Sequence, residues 1–177
     1  MNIFFLSFDP VKAAEAHCDK HVVKMLLEST QLLWTAQHVA TEGRIPDLET
    51  APTTLSGSRH GYAPTHRNHP CAIWVRASLA NYFWLCELAL ALADEYHFRW
   101  PARKGPHACE AHVIWLRAHP PPLPEGPLTP PAQAMPDDYK DPASAITAYR
   151  AYYCGSKAER GLLVYTRREL PAFIVDA

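Results

Sequence analysis

One amphipathic pattern near the start of the chain constrains its fold more than any other feature. Residues 9–41 read DPVKAAEAHCDKHVVKMLLESTQLLWTAQHVAT, and Asp9 followed by Pro10 is a typical helix start. No Gly or further Pro occurs before Gly43, so the pattern predicts one long helix that ends near Thr41. At a helical period, a narrow polar stripe runs along a mostly apolar surface; its members are His17, His21, Lys24, Glu28, Gln31 and Thr35.

An ordinary surface helix shows the inverse pattern, with a broad polar face and an apolar stripe. The stripe therefore indicates a central helix whose ionisable side chains line a pocket. The alternative interpretation is a solvated edge on which His, Lys and Glu form mutual ion pairs at helical spacing. We favour the pocket, because several ionisable groups share one strip among apolar neighbours.

The rest of the chain predicts a mainly α, single-domain helical bundle over residues 1–177, with two long and two shorter helices. Residues 3–8 form a short strand or an extended lead-in, and residues 43–69 form a long loop at the site. The three later helices are predicted from Pro70 to about Phe98, over residues 107–118, and from Asp141 and Pro142 onward. Residues 119–136 are rich in Pro and predict a connecting arm that wraps the outside.

The charge, the lengths of the apolar stretches and the cysteine pattern exclude some classes of protein. With 17 basic and 18 acidic residues the net charge is −1, so binding to nucleic acid needs a local basic patch. No apolar stretch is long enough to span a membrane, and the first ten residues do not resemble a signal peptide. The five cysteines include no C-x-x-C pair, which favours free thiols and a cytoplasmic protein. The oligomeric state does not follow from the sequence.

Three chemistries fit the stripe together with the loop segment THRNHP. The first is acid–base and covalent chemistry without a metal or other cofactor. In it Glu28 is the carboxylate, Lys24 is an amine able to form a Schiff base with a sugar aldehyde, and His17 and His21 transfer protons or contact the substrate. Candidate substrate contacts are His66, Arg67, Asn68 and His69 in the loop, and Gln31 and Asn81 on the helices.

The second chemistry is that of a metal-dependent hydrolase, in which His17 and His21 bind a divalent transition metal and His66, His69 or Glu28 completes the shell, although the sequence has no H-E-x-x-H motif. The third is binding without turnover, in which Arg59, His60, Arg67 and Lys24 recognise an anion such as phosphate.

Two resemblances of this sequence to known families add to these interpretations. DPVKAAEAHCDKHVVKM, PTHRNHPCAIW and AYRAYY are similar to a family of small proteins of tailed bacteriophages and some bacteria. That resemblance covers most of the chain and implies nucleic-acid or nucleotide processing. More distantly, MNIFFLSFDP, VVKMLLESTQLL, THRNHP and ADEYHFRW resemble, in order, segments of the pyrimidine-dimer DNA glycosylases of the endonuclease V type.

The second resemblance implies a mainly helical fold, a DNA glycosylase/lyase activity in DNA repair or modification, and a catalytic role for Glu28. It places His69 on the family's Asn-His-Pro segment. The chain departs from the family at Leu27, where the family has Arg. The family's nucleophile is the α-amine of residue 2, whereas Met1 is usually retained before a residue such as Asn2. Lys24 or Lys20 is the candidate replacement. We expect nucleic acid or a nucleotide as the partner, and no membrane.

Overall fold

A computed structural model describes residues 1–57 and 59–176, and this part of the chain is mainly helical. Its α-helices are α1 (Pro10–Glu15), α2 (Asp19–Ala40), α3 (Pro70–Val75), α4 (Leu79–Arg99), α5 (Glu110–Ala118), α6 (Ala145–Tyr152) and α7 (Ala172–Val175). A π-helix, Tyr153–Lys157, continues α6, and 3-10 turns occur at Leu48–Thr50 and Asp137–Tyr139. The predicted mainly α bundle is confirmed.

The core lies between α2 and α4, with α1, α3 and α5 packed around them. Residues 3–6 form a fully buried lead-in without regular secondary structure, and not a strand. Phe5 stacks on Trp84 with ring centroids 4.6 Å apart and meets the Trp74 ring edge-on at 4.8 Å. The start of the chain is therefore a core element, and its position is fixed by aromatic packing.

The predicted helix over 9–41 is broken in two, because α1 ends at Glu15 and α2 begins at Asp19. The fully buried Arg99 of α4 stabilises the break. It donates to the carbonyls of Glu15 at 3.0 Å and His17 at 2.8 Å, and it pairs with Asp19 at 3.0 Å. These carbonyls have no partner at a helix end, and a guanidinium provides several donors at once.

The second predicted helix is also broken, between α3 and α4. Ser78 caps α4 by accepting the Asn81 N–H at 3.2 Å. The predicted third helix over 107–118 forms as α5, with a later start. The fourth helix begins after Ser144, which accepts the Thr147 N–H, and not after Asp141.

The Pro-rich arm packs against the α3–α4 junction. The Leu79 N–H donates to the Pro124 carbonyl at 2.9 Å, and the Trp74 indole donates to the Thr129 carbonyl at 3.2 Å. The side-chain amide of Asn81 forms two hydrogen bonds with Thr129. Its Oδ1 accepts the Thr129 N–H at 2.9 Å, and its Nδ2 donates to the Thr129 hydroxyl at 2.7 Å. The arm is thus held by specific hydrogen bonds, and its far end reaches the start of the chain.

Candidate active site beside Glu28

Glu28 lies in the middle of α2 and is 8% exposed. Its Oε2 accepts the Asn2 main-chain N–H at 2.7 Å and lies 3.7 Å from the Met1 amine. Its Oε1 lies 3.3 Å from Nζ of Lys24, one helical turn earlier. One buried carboxylate therefore contacts two amines, and the first of them comes from a segment that the sequence pattern did not associate with the site.

Asn2 fixes this arrangement through its side chain. Its Nδ2 donates to the Ala134 carbonyl at 2.9 Å, and its Oδ1 lies 2.9 Å from the Tyr149 hydroxyl. The thiol of Cys71 lies 3.7 Å from the same Oδ1, and burial raises the pKa of this thiol to about 11, so it stays protonated at neutral pH. The end of the Pro-rich arm, α3 and α6 thus hold the start of the chain against Glu28.

A cavity of about 290 Å³ opens beside this carboxylate. The N-terminal segment, α2, the π-helix and the residues that follow it form its walls; the lining residues are Met1, Asn2, Phe4, Lys20, His21, Lys24, Met25, Glu28, Ala134, Tyr152, Lys157, Arg160 and Leu162. The loop over 43–69, which the sequence predicts at the site, does not line this cavity, and α4 does not line it either.

Two larger cavities, of about 430 and 450 Å³, lie elsewhere. The first is charged, but its Arg168 is paired with Glu15 at 3.2 Å and with Glu95. The second is lined mainly by apolar residues, three of which are prolines, and by no ionisable side chain among the described residues. The Glu28 cavity differs from both in its charge balance, because four cationic side chains line it against one carboxylate, whereas the first of the other cavities has three against two.

His21 lines the cavity in its neutral form. Burial, and then the charges of His17, Lys157, Lys24 and Lys20, lower the pKa of His21 to about 3. Its Nδ1 lies 2.5 Å from the hydroxyl of Tyr153, whose pKa is raised by burial, and its ring stacks on Phe4 with centroids 4.5 Å apart. A neutral imidazole in this place can donate or accept a hydrogen bond, but it does not supply a positive charge.

His17 does not share the cavity wall. It lies in the break between α1 and α2, where its Nδ1 donates to the Ala13 carbonyl at 2.6 Å. Its Nε2 is buried and has no hydrogen-bond partner among residues 1–57 and 59–176, and burial lowers the pKa of His17 to about 4. The stripe therefore starts at His21, because the helical period does not extend across the break.

The loop residues have separate positions. His69 caps α3, since its Nδ1 accepts the Cys71 N–H at 3.2 Å. Burial lowers the pKa of His69. The charges of the Met1 amine and Glu28 also act on this pKa, so His69 lies near both. His66 and Arg67 are exposed: His66 Nδ1 contacts the Thr65 hydroxyl at 2.6 Å, and the Arg67 carbonyl accepts from Arg76. Asn68 is exposed as well.

Two further predicted contacts lie outside the cavity wall. Asn81 is fully buried and donates to the Trp74 carbonyl at 2.7 Å, so its amide is satisfied within the fold. Gln31 is half-buried on α2 and does not line the cavity.

The alternative metal site is not assembled. Within residues 1–57 and 59–176, no three His, Cys, Asp or Glu side chains are grouped so that they could hold a metal ion. His17 and His21 have ring centroids 6.5 Å apart, while His66 contacts Thr65 on an exposed loop. The five cysteines are free thiols, as the sequence predicted.

Sequence reasoning missed Met1, Asn2, Tyr153, Lys157 and Arg160 as parts of the site. Tyr153 and Lys157 lie more than a hundred residues after Glu28, and no local pattern relates them to it. For Met1 and Asn2 the glycosylase resemblance did provide a signal, because it drew attention to the amine at the start of the chain.

Comparisons with known protein families, with curated proteins and with solved structures found no match. In the described part of the chain, no helix is both long and apolar enough to cross a membrane. The function must therefore be inferred from the chemistry of the cavity itself.

Proposed function

We propose that the protein is an enzyme that acts on nucleic acid or a nucleotide through an amine nucleophile, with an activity like that of a DNA glycosylase/lyase. The observation that carries this proposal is the contact of the buried Glu28 carboxylate with the Met1 amine at 3.7 Å and with Lys24 Nζ at 3.3 Å. Amines form Schiff bases with sugar aldehydes, and an adjacent carboxylate can accept protons and stabilise positive charge.

In the proposed reaction the amine lone pair attacks C1′ of the sugar, and the base departs with the electron pair of the glycosidic bond and takes a proton from water. Glu28 stabilises the positive charge that develops at C1′ and accepts the proton that the amine loses. It then passes this proton to O4′ as the C1′–O4′ bond breaks, which opens the sugar ring and leaves the Schiff base. On a sugar that has already lost its base, the same attack on the aldehyde is followed by loss of water and gives the Schiff base. His21, which is neutral, supplies a hydrogen bond at the cavity wall.

Of the two amines, that of Met1 is the better candidate in a protein that starts at this residue. The Met1 side chain is 4% exposed and that of Lys24 is 57% exposed, so Met1 is held in place more firmly by its neighbours than Lys24 is. We therefore assign the nucleophile to the Met1 amine, and Lys24 orients the carboxylate.

Reductive trapping tests the proposal. The protein is incubated with borohydride and an oligonucleotide that contains one abasic site, and the cross-linked residue is identified by peptide mass spectrometry. We expect an adduct on residue 1, and a rate roughly a hundredfold lower for Glu28→Gln, because proton transfer typically contributes that much. Glu42→Gln removes an exposed carboxylate elsewhere on the chain and should have no effect.

Two outcomes would count against the proposal. An adduct that forms equally fast in Glu28→Gln would remove the role of the carboxylate. Absence of any adduct, with the oligonucleotide still bound, would favour binding without turnover. Two glycines added before Met1 provide a further check. They move the free α-amine away from Glu28, so we expect no adduct at the amino terminus of the extended chain.

A further inference from the structure

The cavity wall outside the Glu28 pair includes three cationic side chains that have no carboxylate partner in the described part of the chain. Lys20, Lys157 and Arg160 line the cavity, and none of them forms an ion pair with any residue in the described ranges. The whole protein has a net charge of −1, so this local excess of positive charge is a feature of the cavity and not of the surface as a whole.

Lys157 is the most informative of these residues, because it is 5% exposed. Its ammonium lies 3.9 Å from the ring centroid of Tyr152 and 5.6 Å from that of Phe4. Aromatic faces stabilise a cation in part, but buried charges in proteins are normally paired with an opposite charge. An unpaired buried ammonium on a cavity wall is therefore a site for an anionic ligand.

The local backbone supports a specific placement of Lys157. It is the last residue of the π-helix Tyr153–Lys157, and such irregular turns occur frequently at functional sites. Gly155, within this turn, makes room for Tyr139, since a Cβ there would lie 2.7 Å from the Tyr139 hydroxyl. The turn and its neighbour thus fit closely together, and this packing fixes where the Lys157 backbone lies.

We propose that Lys157, Lys20 and Arg160 form a phosphate subsite, so that the ligand of the cavity is a phosphorylated sugar unit. Lysine binds phosphate as a compact point charge and arginine binds it in a bidentate manner. A cavity of about 290 Å³ accommodates a small ligand and not a duplex, which points to one sugar unit with one phosphate. The identity of the sugar rests on the proposed function, whereas the phosphate subsite itself does not depend on the amine chemistry.

Binding of an unreactive analogue tests the subsite independently of the chemistry. The probes are the tetrahydrofuran analogue of an abasic sugar with and without its 5′-phosphate, neither of which has an aldehyde. We expect the phosphorylated probe to bind about tenfold more tightly or better, as for hydrogen bonds to charged groups. Lys157→Met keeps the apolar stem without its charge, and Arg160→Gln changes an exposed side chain; each should remove most of the preference. Lys104→Gln, outside the cavity, should retain it.

Equal binding of the two probes, or full preference in both Lys157→Met and Arg160→Gln, would overturn the subsite. A single-stranded oligonucleotide with one tetrahydrofuran residue separates the possible sources of the phosphate. Tighter binding of the oligonucleotide assigns the subsite to a strand, and tighter binding of the free probe assigns it to a sugar phosphate; binding of neither overturns it. Preference for phosphate without any borohydride adduct would contradict the proposed function and leave the subsite standing.

Discussion

The main-chain N–H of Asn2 donates a hydrogen bond of 2.7 Å to the carboxylate of Glu28. This contact joins the first residues of the chain to the middle of α2, and it directs the carboxylate toward the Met1 amine. The geometry depends on the side chain of Asn2, which is held by Ala134 and Tyr149. Residues without a chemical role therefore determine whether the amine and the carboxylate meet.

Tyr149→Phe should slow adduct formation without unfolding the protein. The Tyr149 hydroxyl lies 2.9 Å from Asn2 Oδ1 and accepts the Ala134 N–H at 3.1 Å, so its removal takes away one of the contacts that hold the Asn2 side chain. We expect the borohydride adduct to form roughly tenfold more slowly, since about 1 kcal/mol or more of positioning energy is lost. Tyr165→Phe is the matched control, because its hydroxyl contacts the Ala16 carbonyl instead. Equal slowing in both variants would show a general loss of stability and no positioning role.

Arg99→Met should destabilise the fold strongly. Arg99 is fully buried, pairs with Glu95 at 2.8 Å and caps the carbonyls at the end of α1, so its loss leaves Glu95 buried with fewer partners. Breaking a buried pair on one side typically costs about 3–5 kcal/mol. Urea unfolding should show a loss of this size, against less than about 1 kcal/mol for Arg117→Met, whose pair with Glu87 is exposed. A similar small loss in both variants would contradict the structural role of Arg99.

The helical stripe could be predicted as far as the helix itself extends. Lys24 and Glu28 are one turn apart on an uninterrupted helix, and the structure shows the expected contact at 3.3 Å. His17 is misplaced by the same rule, because Arg99, distant in sequence, stabilises a break that no local residue indicates. The break before α4 did have a local signal, the capping residue Ser78.

The remaining half of the cavity could not be predicted from periodicity. Met1 and Asn2 are placed by the packing of the buried lead-in, and Lys157 by a π-helix that follows α6. Their proximity to Glu28 is a tertiary contact over large sequence separations. A pattern read along one helix can identify one wall of a site, but not the elements that face it.

His17→Gln should make the protein less sensitive to mild acid. The pKa of His17 is lowered to about 4 by burial, so the unfolded chain binds one more proton than the folded protein between about pH 6.5 and pH 4. Stability must therefore fall as the pH is lowered through this window, by up to about 1.4 kcal/mol per pH unit for this residue. Urea unfolding between pH 7 and pH 4.5 should show a shallower decline in the variant. Parallel profiles would mean that His17 is not buried as a neutral group.

Gly155→Ala should disturb the cavity through the π-helix. A Cβ at this position would lie 2.7 Å from the Tyr139 hydroxyl and 2.8 Å from its Cε1, distances at which one of the two must move. Overpacking of this kind typically costs about 1–3 kcal/mol. Because Lys157 ends the same turn, we also expect a weaker preference for the phosphorylated tetrahydrofuran probe. At Gly126 an added Cβ would make an ordinary contact of 3.7 Å with Ser78, so Gly126→Ala is the control. If Gly155→Ala lost stability while keeping the full preference, the position of Lys157 would not depend on the close packing of this turn.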